Sequence, residues 1–143
     1  VIKHTGVATF KKHKDEKPGK KFFDFQNWLI EFNGVDEVFY EIVPQVASRA
    51  AGETYHGMLA MLHTFNYSLG LRCCGIYANS WKKEFTGNGH SKKIDVCKQA
   101  IDLGWKRGEV GTDKLNDEAD SIGIAYALLQ KRGVKLRFEG DDD

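Results

Sequence analysis

Apolar positions along the chain repeat with two different periods, and the alternation between them predicts the elements. From Lys20, Phe22, Phe25, Leu29 and Phe32 recur at intervals of 3, 4 and 3 residues, one face of a helix that Asn33-Gly34 ends. Residues 35–43 read as a strand. Its stretch Val38-Phe39-Tyr40-Glu41-Ile42-Val43 is apolar on both faces except for one acid, which suits a strand covered on both sides. Residues 49–69 predict a long helix with Met58, Met61, Leu62, Phe65 and Leu69 on one side and Gly70 as its stop. A further strand over 71–77, a short helix over 80–85 and a loop at Thr86-Gly87-Asn88-Gly89 follow. Ser91 is placed to cap a helix running to Leu103, ahead of Gly104. Residues 113–116 lead into a last helix over 117–132, stopped by Gly133. Val134, Leu136 and Phe138 then alternate with Lys135 and Arg137, as a short strand or an arm. At the front, residues 1–10 read as a strand through Ile2, Val7 and Phe10, and 11–19 as a basic turn. Two strand-helix-strand passages predict an α/β fold, a small sheet with helices on its faces.

Composition narrows this picture. A length of 143 residues supports one domain, read as residues 1–138 with an acidic tail over 139–143. A hydrophobic share of 41% supplies a packed core and excludes global disorder. No apolar run approaches the roughly 20 residues of a membrane span, and the first residues lack a signal peptide's apolar core. Cys73 and Cys74 are adjacent and Cys97 stands alone, with no zinc-site spacing. The expectation is a reduced, cytoplasmic protein with no membrane partner.

Charge changes the picture more. The net +1 includes four acids in the stretch 139–143, and the rest of the chain carries +5. Lys11, Lys12, Lys14, Lys17, Lys20 and Lys21 crowd a short segment against Asp15 and Glu16. That is either a solvated loop or a surface for a polyanion.

Three groups of residues are candidates for chemistry. Glu41 interrupts an apolar strand near its C-terminal end, where α/β sites commonly form. It is a salt-bridged or solvent-reaching acid, or a metal ligand or catalytic carboxylate. In Asn116-Asp117-Glu118-Ala119-Asp120, the acids Asp117 and Asp120 share a helix face. They serve the helix N-terminus, or they hold a cation between them. The stretch from Lys82-Lys83 through Thr86-Gly87-Asn88-Gly89 to Lys92-Lys93 is a surface turn or a phosphate-approaching loop; it lacks the Walker A spacing. Together the three groups offer hard oxygen ligands for Mg²⁺ beside lysines and glycines. That is the combination metal-assisted phosphodiester hydrolysis requires.

The order of these motifs resembles that of the RuvC-type Holliday junction resolvases, in particular the compact RuvC-like versions of phages and related bacterial genes. The resemblance rests on Tyr40-Glu41-Ile42-Val43-Pro44, a long helix, Lys82, Thr86-Gly87-Asn88-Gly89, Lys93 and Asp117-Glu118-Ala119-Asp120-Ser121-Ile122-Gly123-Ile124-Ala125. It covers residues 1–130. It implies a ribonuclease H-like fold, with a central mixed sheet flanked by helices, and a homodimer that cuts four-way DNA junctions with two Mg²⁺ or Mn²⁺ ions. Glu41, Asp117 and Asp120 map to catalytic, metal-holding carboxylates. Lys93 maps to a catalytic lysine near the DNA backbone and Lys82 to an earlier basic position. Lys83, Asn88 and Lys92, with Lys11, Lys12 and Lys14, are the further DNA-binding candidates. The setting implied is the cytoplasm of a bacterial or phage-infected cell.

Two departures qualify the resemblance. The family's first carboxylate is an Asp in an Asp-x-Gly-like motif on the first strand. No such motif stands here, and residues 1–10, with Thr5-Gly6, resemble the second strand. The expectation is a domain without its first strand, and a chain that binds metal poorly as written. The aromatic that bacterial relatives place after the strand Glu is replaced by Ile42, Val43 and Pro44. The alternative function is a non-catalytic RuvC-like nucleic-acid-binding protein. A third reading, a small phosphatase, leaves the motif order unexplained.

Overall fold

The structure, a computed structural model, describes residues 2–10, 17–106 and 113–139. In chain order the elements are α1 (Lys20–Ile30), β1 (Glu37–Ile42), α2 (Arg49–Leu69), β2 (Arg72–Tyr77), α3 (Ala78–Thr86), α4 (Lys93–Asp102) and α5 (Asp113–Gln130). The chain divides into two compact units: Val1–Val7, Phe39–Ile42 and Gly75–Asp143 form one, Ala8–Val38 and Val43–Cys74 the other.

β1 and β2 pair with each other. The Arg72 amide donates to the Asp36 carbonyl at 3.3 Å. Further along, a Cβ at Gly75 would stand 2.7 Å from Tyr40 and 2.8 Å from Ile42. Positions in the two strands therefore rise together, and the strands run parallel, as a connection through a long helix requires. The small sheet with accompanying helices is the α/β class the sequence implies.

The unit formed by 8–38 and 43–74 is built on α1 and α2. Phe25 and Leu29 give α1 its buried face, and Phe10 meets Phe25 edge-on at 5.4 Å. Gly57 of α2 lies against the Phe22 ring with no room for a side chain. α2 has the predicted bounds. Ser48 Oγ accepts from the Ala51 amide at 3.1 Å, and Gly70 closes the helix at φ 66°, a left-handed conformation that glycine adopts without steric cost. α1 ends at Ile30, short of the predicted Asn33-Gly34. The amides of Glu31, Phe32 and Asn33 reach back three residues, a tightening turn that Gly34 completes at φ 89°.

The other unit holds the helices that carry most of the candidate chemistry. α3, α4 and α5 pack on one another around Trp81, Phe85, Val96, Cys97, Ala100, Ala119, Ile122 and Ala127, all buried. α3 follows β2 directly and is longer than the predicted 80–85. Ser91 does not cap α4. Lys92 takes the cap position, its amide donating to Asp95 Oδ2 at 3.1 Å. Ser91 is instead buried, with its hydroxyl turned to Thr86 and to the Asn88 carbonyl. α5 starts at Asp113, so Asn116 and Asp117 lie inside the helix rather than at its cap.

Residues 2–10 are not a strand among the described residues. The pattern of β-branched side chains is present, but the only bridge recorded there joins Ile2 to Phe138 in parallel. A strand needs a continuous hydrogen-bonded neighbour, and here Ile2 alone donates to the Arg137 carbonyl and accepts from the Glu139 amide. Residues 134–138 are correspondingly an arm, with Leu136 buried. All three cysteines are free thiols. Among the described residues no helix is long and apolar enough to cross a membrane.

Candidate functional site

Glu41 stands one residue before the end of β1 and is half-buried. Its Oε2 accepts a hydrogen bond from the indole Nε1–H of Trp81 at 2.7 Å. Trp81 is fully buried, and with Phe85 one turn later forms the apolar face of α3. The strand acid is thus tied to a neutral donor in the core.

Asp120 lies on α5 at the edge of that core. Burial pushes its carboxyl up from 3.8 to about 6; the negative charge of Glu41 and then that of Asp117 push the same way, while Lys82 and Lys93 oppose them. A strand, the start of α5, α3 and the first turn of α4 therefore bring Glu41, Asp117, Asp120, Lys82 and Lys93 into one electrostatic neighbourhood. The helix phase of α5 sorts its acids. Asp117 is exposed, Asp120 is half-buried, and Glu118 between them turns inward and is fully buried. Glu118 Oε1 accepts from Trp105 Nε1–H at 3.2 Å. The small apolar turn after Asp120 packs as its composition suggests: a Cβ at Gly123 would stand 2.6 Å from the Trp81 ring.

The remaining candidates fall outside this neighbourhood. Lys83 and Lys92 are exposed and are not among the charges acting on Asp120. Asn88 Oδ1 accepts from the His90 amide at 2.9 Å, so its side chain braces its own loop. The two glycines beside it have local reasons to be glycine. Gly87 ends α3 at φ 84°, and a Cβ on Gly89 would meet the Asn79 carbonyl oxygen at 2.8 Å. Lys11, Lys12 and Lys14 lie outside the described residues.

Glu41, Asp117 and Asp120 match a hard divalent cation in donor chemistry. Burial first, and then the repulsion of Glu41 and Asp117, raises Asp120, and a cation would relieve the repulsive part. Among the described residues, however, no three His, Cys, Asp or Glu side chains are gathered into a group able to hold a metal ion. The sequence pattern does not show the side chains that brace this region: the Trp81 indole on Glu41, the Trp105 indole on Glu118, and the Cys97 thiol donating to Asn116 Oδ1 at 3.0 Å. Burial, followed by the charge of Asp120, raises the Cys97 thiol, and Lys93 opposes both. Each of these side chains has the spacing of an ordinary core residue, so nothing in the pattern marked them.

No family model matches the chain, and no curated protein matches its sequence. Solved structures do match. The structure is similar to that of Thermus thermophilus RuvC, with a TM-score of 0.68 and 16% identity over 87% of this chain and 76% of that one. It is similar also to T. thermophilus RuvC in complex with a Holliday junction substrate, with a TM-score of 0.67 and 18% identity over the same shares. The chain has the ribonuclease H-like α/β fold of RuvC. At such identity it is the packing that is shared, and function must be argued from the site.

Proposed function

We propose that the protein is a structure-selective endonuclease that cuts four-way DNA junctions by metal-dependent phosphodiester hydrolysis, as a member of the RuvC-type resolvases. The observation that carries this reading is that Glu41, Asp117, Lys82 and Lys93 all act electrostatically on the half-buried carboxyl of Asp120, on a fold shared with a protein seen bound to a Holliday junction. Glu41, Asp117 and Asp120 would hold Mg²⁺ or Mn²⁺. Such ions activate water and stabilise the leaving oxygen of a phosphodiester. The chain's own part is otherwise electrostatic. Lys93 places positive charge by the scissile phosphate, and Lys82 balances the acids in the absence of substrate. Exposed Lys83 and Lys92, with Lys11, Lys12 and Lys14, supply contacts along the DNA backbone.

A homodimer accompanies this reading. A groove of ≈ 520 Å³ between α1 and α2, lined by Ile30, Met61, Phe65 and Leu69 among others, supports it; Ile30 and Leu69 are about half exposed. Sedimentation at micromolar concentration should show a dimer.

The deciding experiment uses the natural full-length product on a labelled four-way junction in Mg²⁺. The wild type should nick it. Glu41→Gln and Asp117→Asn should each abolish nicking while sparing binding. Cutting by either variant at the wild-type rate would remove that residue from the catalytic set. One observation favours a second reading, a non-catalytic DNA-binding protein of the same fold: the three acids are not gathered into a ready metal group. Junction binding with no cleavage by the natural product would select it.

A further inference from the structure

Trp81 touches both parts of the candidate site that must stay in register. Its Nε1–H donates to Glu41 Oε2 at 2.7 Å, across from β1. The opposite edge of the same indole meets α5. A Cβ added at Gly123 would stand 2.6 Å from Cζ3 and 2.8 Å from Cε3 of the ring. Gly123 follows Asp120 by less than one helical turn. One rigid side chain, fully buried, therefore spans from the strand acid to the helix that carries the other two. Lys82, the next residue on α3, is the cation that acts most strongly on Asp120 and also lies 5.6 Å from the Trp81 ring centre.

Hydrophobic burial alone does not require this arrangement. A Phe would fill the core against Gly123 nearly as well, and a buried indole N–H needs a partner only because indole was used. Its partner is Glu41, which interrupts the apolar run 38–43. We infer that Trp81 is a positioning residue: it fixes the rotamer of Glu41 and gauges the strand-to-α5 separation, and so sets how readily the carboxylates close on a divalent cation. This rests on the metal-dependent reading above. Donors of this kind, which orient a ligating carboxylate from behind, commonly change metal affinity or activity about 10–100-fold when removed.

The test is Trp81→Phe in the natural full-length protein, beside Glu41→Gln. Three quantities are measured: junction affinity in EDTA, Mg²⁺ affinity by calorimetry, and the Mg²⁺ concentration giving half-maximal cleavage. Trp81→Phe should keep wild-type junction affinity. It should weaken Mg²⁺ binding by about tenfold or more and shift half-maximal cleavage to correspondingly higher Mg²⁺, with rate recovered at saturation. A role in folding alone would lower junction affinity and melting temperature and leave the Mg²⁺ requirement in place. Wild-type Mg²⁺ affinity in a folded Trp81→Phe protein overturns the inference. If that variant fails to fold, the indole N–H resonance of Trp81 in ¹⁵N-labelled wild type decides. It should move on adding Mg²⁺ and stay still in Glu41→Gln; a resonance indifferent to Mg²⁺ in a protein that cleaves overturns the inference while sparing the nuclease. A wild type that neither binds Mg²⁺ nor cleaves removes the nuclease reading itself, and this inference with it.

Discussion

The thiol of Cys97 donates to Oδ1 of Asn116 across 3.0 Å, joining the middle of α4 to the first turns of α5. Both residues are buried, and Asn116 immediately precedes Asp117. A polar pair in a core is retained only if satisfied, and this one fixes the rotation of the helix that presents two acids. Asn116→Ala should therefore cost about 1–3 kcal/mol in a denaturant titration, the range for stranding one buried partner. It should also admit a thiol reagent to Cys97, which in the wild type, at 1% exposure, reacts only on unfolding.

Asp120 gives a pH dependence with a definite sign. Its folded pKa, about 6, lies above the ordinary 3.8, so the folded state keeps a proton that the unfolded state has already lost. Stability should fall as pH rises between those two values and level off above them. Asp120→Asn should be the more stable protein at alkaline pH, by about 1 kcal/mol once solvent screening of a half-buried group is allowed for, and no better below about pH 4. Melting temperatures of both proteins across that range, with and without Mg²⁺, check this. The cation should flatten the wild-type slope.

Gly123→Ala should destabilise the protein although alanine is the better helix former by about 1 kcal/mol. The new methyl would sit 2.6 Å from the Trp81 ring and 3.0 Å from Phe85. Overpacking of a full core costs about 1–3 kcal/mol, which outweighs the propensity gain. Equal or higher stability in urea would show that α5 yields at this point.

Junction binding in EDTA should weaken steeply with salt, because each neutralised phosphate releases counterions. Lys93→Ala, and separately Lys82→Ala, should each reduce the slope of log affinity against log salt by about 1. Anisotropy of a labelled junction across a salt series measures it. An unchanged slope in both variants would place the DNA elsewhere on the surface.

The parts of the fold legible in the sequence are those fixed locally. The bounds of α2 could be drawn from its apolar stripe and Gly70, because a helix stop is written within a few residues; the Ser48 cap emerged only in the structure. Residues 2–10 were misread for the opposite reason. Strand formation depends on a neighbour, and Ile2 with its mate Phe138 says nothing of the residues between. The cap of α4 was misplaced because Ser91 is drawn into the Thr86–Asn88 loop, a competition of side-chain partners that spacing does not reveal. At the site, the acids stood out against their apolar surroundings. Trp81, Trp105 and Cys97 did not, because a supporting hydrogen bond leaves no mark on periodicity.

The three tryptophans divide between the two units. Trp28 belongs to the unit with α1, stacked beside Phe25, whereas Trp81 and Trp105 belong to the other, each with its N–H on a carboxylate. Intrinsic fluorescence therefore already carries a separate label for each unit. With Trp28→Phe the emission reports one unit alone, and its melting curve laid over that of the wild type reads out whether the two unfold cooperatively or in turn.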